Sequence, residues 1–129
     1  MLDVMEKLKE IGKKFQAGDL HGGLALLREL WEQIPAPQVA TQNAYLVLEY
    51  GVAFALKLQD YDEARLWANR ALDFKAKRQD SGEVEFLVGK VAYESGQLDV
   101  AKAQFQMAKS KSKGRIFQGE DSKYVALLK

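Results

Sequence analysis

The sequence predicts an all-α protein built from repeated helix-turn-helix units, and three observations carry that expectation. Both prolines of the 129-residue chain fall within Ile34 to Gln38, while helix-forming residues dominate elsewhere with few β-branched runs. Helix stops recur at Gly18-Asp19, Gln59-Asp60, Asp80-Ser81-Gly82, Gly96-Gln97 and Gly114, each placing a glycine or a capping side chain between periodic segments. About seven helices fit between these stops. The sequence also matches itself when shifted: Leu20, Tyr61 and Leu98 each follow a turn and lie 41 and 37 residues apart.

Each of those turns leads into a helix with the same small-residue rhythm. Three residues on stand Gly23, Ala64 and Ala101; seven on, Leu27, Ala68 and Phe105; ten on, Leu30, Ala71 and Ala108. Before each turn a helix carries a glycine on its expected packing face, namely Gly12, Gly51 and Gly89. Two helices that cross at close range leave room only for Gly or Ala at the crossing. In the first helix Leu8, Ile11, Gly12 and Phe15 form one apolar stripe, with Glu6, Lys9, Lys13 and Lys14 outside it. The first helix of the second pair has two stripes, Val47, Tyr50, Gly51, Phe54 and Leu58 on one side and Tyr45, Leu48, Val52 and Leu56 on the other. In the third pair Val84, Leu87, Val88, Val91 and Ala92 make the core stripe, and Phe86, Lys90 and Tyr93 a candidate surface. At the end of the chain Tyr124, Leu127 and Leu128 share one face of a short amphipathic helix.

This pattern resembles the tetratricopeptide repeat, in which a helix with an apolar-Gly pair precedes a turn and a helix with spaced Ala, aromatic and Ala positions. The third unit, Val88-Gly89, Ala92-Tyr93, Gly96, Ala101, Phe105 and Ala108, keeps the family spacing throughout. The first is one residue short between Phe15 and Gly18 but ends at Pro35; the second is one residue long between Phe54 and Asp60 and has Ala68 where an aromatic is usual. Longer connections around Pro35 to Thr41 and Lys75 to Gly82 stretch the period beyond the family's 34 or so residues. The resemblance spans Leu8 to Ala108. It implies one domain over residues 1–129, a helical solenoid of three repeats at about 3–35, 38–77 and 81–111, with a capping helix at about 120–129 covering the apolar side of the last repeat.

Composition narrows the function classes. A formal net charge of +1, from 19 basic and 18 acidic residues, provides no global field toward nucleic acid or an anionic membrane. Cysteine is absent, which removes disulfides and thiolate chemistry and fits a reducing compartment. The N-terminal MLDVMEKLKEIGKK lacks a continuous apolar core of the secretory type, and the longest uncharged run, Gln33 to Leu48, is broken by both prolines. A cytoplasmic protein with no membrane attachment is the expectation.

Chemistry is thin. The one histidine, His21, precedes Gly22-Gly23 at a helix start, where capping or solvation suits it better than catalysis. No nucleophile motif, phosphate loop or cysteine-histidine metal set is present, and Asp60 to Glu63 fails as a calcium loop because Arg65 stands where glycine must turn and Ala71 where the bidentate glutamate belongs. Asp60 reads instead as a helix cap. No enzyme activity, cofactor or metal is therefore expected. Lys109, Lys111, Lys113 and Arg115 form a local basic segment, but Phe117 is the only ring nearby and Glu120-Asp121 follow at once, so nucleic acid is disfavoured.

The tetratricopeptide resemblance implies that the first helix of each repeat lines a concave groove. Tyr45, Leu48, Val52 and Leu56, with Phe86, Lys90 and Tyr93 beside them, would then be the groove wall that binds a protein or peptide partner. The same stripe is equally open to cover by neighbouring helices, by the C-terminal helix or by a second copy in a homodimer. The family's clamp for chaperone C-termini finds Lys9 in place, but Lys13, Glu49, Glu83 and Leu87 occupy the other positions. The wording Lys113 to Tyr124 is similar to the tail of some small bacterial tetratricopeptide proteins, which implies an accessory protein that neutralises or chaperones one dedicated partner, such as the immunity protein of a toxin. An RNA-binding adaptor working through residues 109–115 and a self-associating structural protein working through the Tyr45 to Leu56 stripe are the alternatives.

Overall fold

A computed structural model describes residues 2–129 and is helical throughout, with no strand among them. Seven α-helices follow one another: α1 Val4–Gln16, α2 Leu20–Gln33, α3 Ala44–Lys57, α4 Tyr61–Arg70, α5 Glu83–Glu94, α6 Leu98–Ser112 and α7 Ser122–Ala126. Three 3-10 segments, Gln38–Ala40, Ala71–Arg78 and Arg115–Phe117, connect them. The chain divides into two compact units, Met1–Trp67 and Ala68–Lys129. Their boundary falls inside α4, in the middle of the second expected repeat.

The helix ends follow local chemistry. Asp3, Asp19, Asp60 and Asp121 each accept a hydrogen bond from a backbone N–H of the following turn, at 3.1, 3.0, 3.1 and 3.0 Å, satisfying donors that a helix start leaves open. The stops at Gly18, Gln59 and Gly96 share one geometry, a left-handed residue after which the next amide reaches back five residues: Asp19 to Lys14, Asp60 to Ala55 and Gln97 to Ala92. Gln59 holds this left-handed conformation without being glycine. The same junction thus recurs at the three places where the sequence matches itself.

In the first unit α2 packs against both α1 and α3. Its core includes Leu8, Ile11, Leu24, Leu27, Val47 and Trp67. Gly23 lies so close to Phe54, and Gly51 to the Trp67 indole, that a Cβ at either would run into the ring. Gly12 differs from the expectation. A Cβ built there meets nothing within 4 Å, so this glycine marks open space and no helix crossing.

In the second unit α5 and α6 pair along their length. Ala101, Phe105 and Ala108 are wholly buried; Phe105 lies 2.7 Å from a Cβ built at Gly89, and the Ala108 carbonyl 2.6 Å from one built at Gly82. Helix α4 does not run to the end of the second expected repeat; it tightens into the 3-10 segment Ala71–Arg78, which packs on α5. Ala71 and Phe74 are its buried side chains.

Glu85 of α5 sits in this unit at 1% exposure. Its Oε2 accepts a 2.7 Å hydrogen bond from Lys111 of α6 and lies 3.7 Å from Lys75 of the 3-10 segment, while Oε1 makes no hydrogen bond. Burial pushes the carboxyl up, but the Lys111 hydrogen bond and the two ammonium charges outweigh it and hold the group below its ordinary 4.5. A carboxyl depressed on folding contributes stability in full above its unfolded pKa and loses it as pH falls through the lower folded value. Glu85→Gln should therefore cost about 1–2 kcal/mol at pH 7, discounted for the half-exposed lysines. Urea titrations at decreasing pH should show the gap to wild type closing once the pH drops below the ordinary carboxylate range. A gap that stays constant down to the acid transition would show that Glu85 is not ionised in the folded protein.

Candidate functional site

Helices α1 and α3 leave an open cleft of about 310 Å³ between them. It is lined by Gly12, Phe15 and Gln16 of α1 and by Glu49, Tyr50, Ala53 and Phe54 of α3. Phe54 is its buried floor, seated against the backbone of α2 where Gly23 presents no side chain. Phe15 meets Phe54 edge to face at 5.1 Å between centroids yet stays 39% exposed. Tyr50 is half-buried and Ala53 exposed. A small set of apolar surfaces with polar groups at Gln16, Glu49 and Tyr50 is the make-up of a site that holds an apolar side chain and orients it by a few hydrogen bonds.

The groove wall expected from the sequence lies elsewhere and is largely covered. Tyr45, Leu48 and Val52 are 2%, 0% and 1% exposed, and Leu56 is half-buried. The second stripe of α3 thus belongs to the interior of the folded chain, as a helix apolar on both sides requires. Phe86, Lys90 and Tyr93 are brought together in the second unit beneath the C-terminal segment. Phe86 is 6% exposed and meets Phe117 and Tyr124 at 5.3 and 5.8 Å; Tyr93 meets Tyr124 at 5.3 Å. Lys90 pairs with Glu120 at 3.8 Å and lies 5.9 Å over the Tyr124 ring. Phe86 is accordingly core and not surface. The distant partner residues are thirty or so positions away in sequence, beyond the reach of any helical periodicity.

The cleft residues were missed because Gly12 and Phe15 fall on the α1 stripe that periodicity assigns to the core. Their signal in the sequence is a glycine and a phenylalanine next to Gln16 at the last turn of a helix. Neither residue type says whether its face is filled.

Several of the other polar residues singled out by the sequence have structural partners. Glu63 accepts from Arg28 at 2.7 Å and from the Trp67 indole N–H at 2.9 Å, and Asp60 caps α4. His21 is exposed at the start of α2. Among the described residues, no three His, Asp or Glu side chains gather in a way that could hold a metal ion. In the basic segment Lys111 is tied to Glu85, Lys109 and Lys113 border an open hollow with Gln106, Ser110 and Leu128, and the Phe117 ring packs against Phe86 and Phe105. No helix among the described residues is long and apolar enough to cross a membrane. No protein-family model, curated protein or solved structure matches the chain.

Proposed function

We propose that the chain is a non-catalytic protein-interaction module, a tetratricopeptide-like helical array that takes a peptide or protein segment into the α1–α3 cleft. The observation that carries the reading is Gly12. A glycine inside a helix costs roughly 0.5–1 kcal/mol relative to alanine, and at Gly23, Gly51 and Gly89 a ring pressed against the backbone accounts for that cost. At Gly12 no neighbour does, and the missing side chain keeps the cleft open above Phe54.

The cleft suits binding more than chemistry. Glu49 is its single ionisable carboxylate, with no histidine, lysine or hydroxyl nucleophile in the lining beyond the Tyr50 phenol. An aromatic or branched aliphatic side chain is the anchor that fits between Phe15 and Tyr50, and burial of one such group supplies about 1.5–3 kcal/mol.

Gly12→Leu separates this role from a structural one. It places a side chain in open space and improves helix propensity, so stability should hold or rise by about 0.5 kcal/mol. Peptides selected by the wild-type protein from a displayed random library should share an apolar anchor and bind Gly12→Leu about tenfold or more weakly, as loss of a buried anchor requires. Equal binding to the two proteins, with Gly12→Leu stable, would remove the cleft as the site.

A further inference from the structure

Helix α6 buries Ala101, Phe105, Ala108 and Ser112, which turns the rest of its surface outward. Two stripes run along that outward side. Lys102, Gln106, Lys109 and Lys113 follow one another four, three and four residues apart, and all are exposed. Beside them stand Val100, Ala103 and Met107, three and four apart, with Val100 46% and Met107 40% exposed. Toward the end of the helix an open hollow of about 510 Å³ gathers Lys109 and Lys113 with Gln106, Ser110 and the apolar side chain of Leu128.

The charges of the second unit leave the basic stripe unanswered. All of its glutamates are engaged elsewhere: Glu83 by Arg78, Glu85 by Lys111 and Lys75, Glu94 by Lys123 and Glu120 by Lys90. Asp121, close to the basic segment in sequence, caps α7. Asp99, the acid of α6 itself, sits in the first turn where the helix dipole favours it. Among the described residues no carboxylate comes within ion-pair reach of Lys102, Lys109 or Lys113. Lys109 and Lys113, four residues apart, repel each other, and Lys102 stands in the first half of the helix, where the dipole gives a cation no advantage.

We propose that this face of α6 docks an acidic segment of a partner protein, with carboxylates on Lys102, Lys109 and Lys113 and apolar side chains on Val100, Ala103 and Met107. The unanswered lysines give the sign of the partner, and the apolar stripe gives its class. In the hollow the Gln106 amide and the Ser110 hydroxyl are further donors to a carboxylate. A phosphate backbone would leave Val100 and Met107 uncovered, and no ring stands on this side for bases to stack on, since Phe105 is buried and Phe117 packs against it. Helices that lie on anionic membranes set Trp, Phe or Leu beside their basic residues; the stripe here is Val, Ala and Met. The face shares no residue with the α1–α3 cleft, so it is a second contact and stands or falls separately.

The test records amide shifts of the labelled chain against three probes: a helical peptide with glutamates four, three and four residues apart and leucines alongside, a single-stranded oligonucleotide, and vesicles of phosphatidylserine and phosphatidylcholine. The peptide should give saturable shifts on Lys102, Gln106, Met107, Lys109 and Lys113, and should bind about tenfold more tightly than a version with serine in place of leucine. Lys102→Glu, Lys109→Glu and Lys113→Glu together should weaken it about tenfold or more, and a version of the peptide with lysine in place of glutamate should recover that loss. Val100→Ser with Met107→Ser should cost about tenfold, while Gly12→Leu should change nothing. The altered side chains are exposed, so melting temperatures should stay near wild type. Absence of shifts on α6, equal binding of the leucine and serine peptides to the wild-type chain, or an oligonucleotide or vesicle that occupies α6 as tightly as the peptide would overturn the proposal. If the triple variant does not fold, the leucine and serine peptides on wild type decide.

Discussion

Trp67→Ala is expected to lower the unfolding free energy by about 3–5 kcal/mol, the range for deleting a buried large aromatic. Trp67 is wholly buried at the end of the first unit. Its ring lies against the α3 backbone at Gly51, meets Trp31 edge to face at 6.2 Å and donates its indole N–H to Glu63. Removing it leaves a void beside a glycine that has no side chain with which to fill it. Glu63 retains Arg28, so the loss is mainly one of packing. Trp67→Phe should restore about half of the stability, since the ring volume returns in part without the N–H. Urea denaturation followed by circular dichroism checks both variants, and a cost below about 1 kcal/mol for Trp67→Ala would contradict the close α3–Trp67 contact.

Ala101→Arg should be at least as damaging in the second unit. Ala101 is 0% exposed on the face of α6 that packs on α5, where Gly89 and Phe105 show how little room exists. Arginine there overfills the contact and buries a charge with no planned partner, and the two effects together should cost about 4 kcal/mol or more. Ala103→Arg, two residues along and exposed on the same helix, is the control and should stay within about 0.5 kcal/mol of wild type. Similar melting temperatures for the two variants would mean that the α5–α6 packing is assigned wrongly.

How far the sequence could be read differs from element to element for physical reasons. Helix ends were legible at Asp19 and Asp60, and at Gly18, Gly96 and Gly114, because capping and left-handed turns depend on neighbours within a few residues. The buried Ala101, Phe105 and Ala108 were legible too, since their spacing repeats through the chain. Gly12 was not. A helical glycine means a tight crossing at Gly51 and an open cleft at Gly12, and only the residue opposite distinguishes them. The stripe of Phe86, Lys90 and Tyr93 was drawn correctly as one face, and of the covers left open for it the C-terminal segment is the one present, through Phe117, Glu120 and Tyr124. Nor did periodicity show that α4 would tighten into a 3-10 segment at Ala71, since i and i+3 spacings serve both helix types.

The proposed function depends on a partner segment binding in the α1–α3 cleft. Backbone amide shifts of the labelled protein, titrated with a library-selected peptide, test it most directly. Saturable shifts centred on Gly12, Phe15, Gln16, Tyr50 and Ala53 are expected, with their loss in Gly12→Leu at unchanged or higher melting temperature. Shifts confined to residues outside α1 and α3, or an unaltered response in Gly12→Leu, would contradict it.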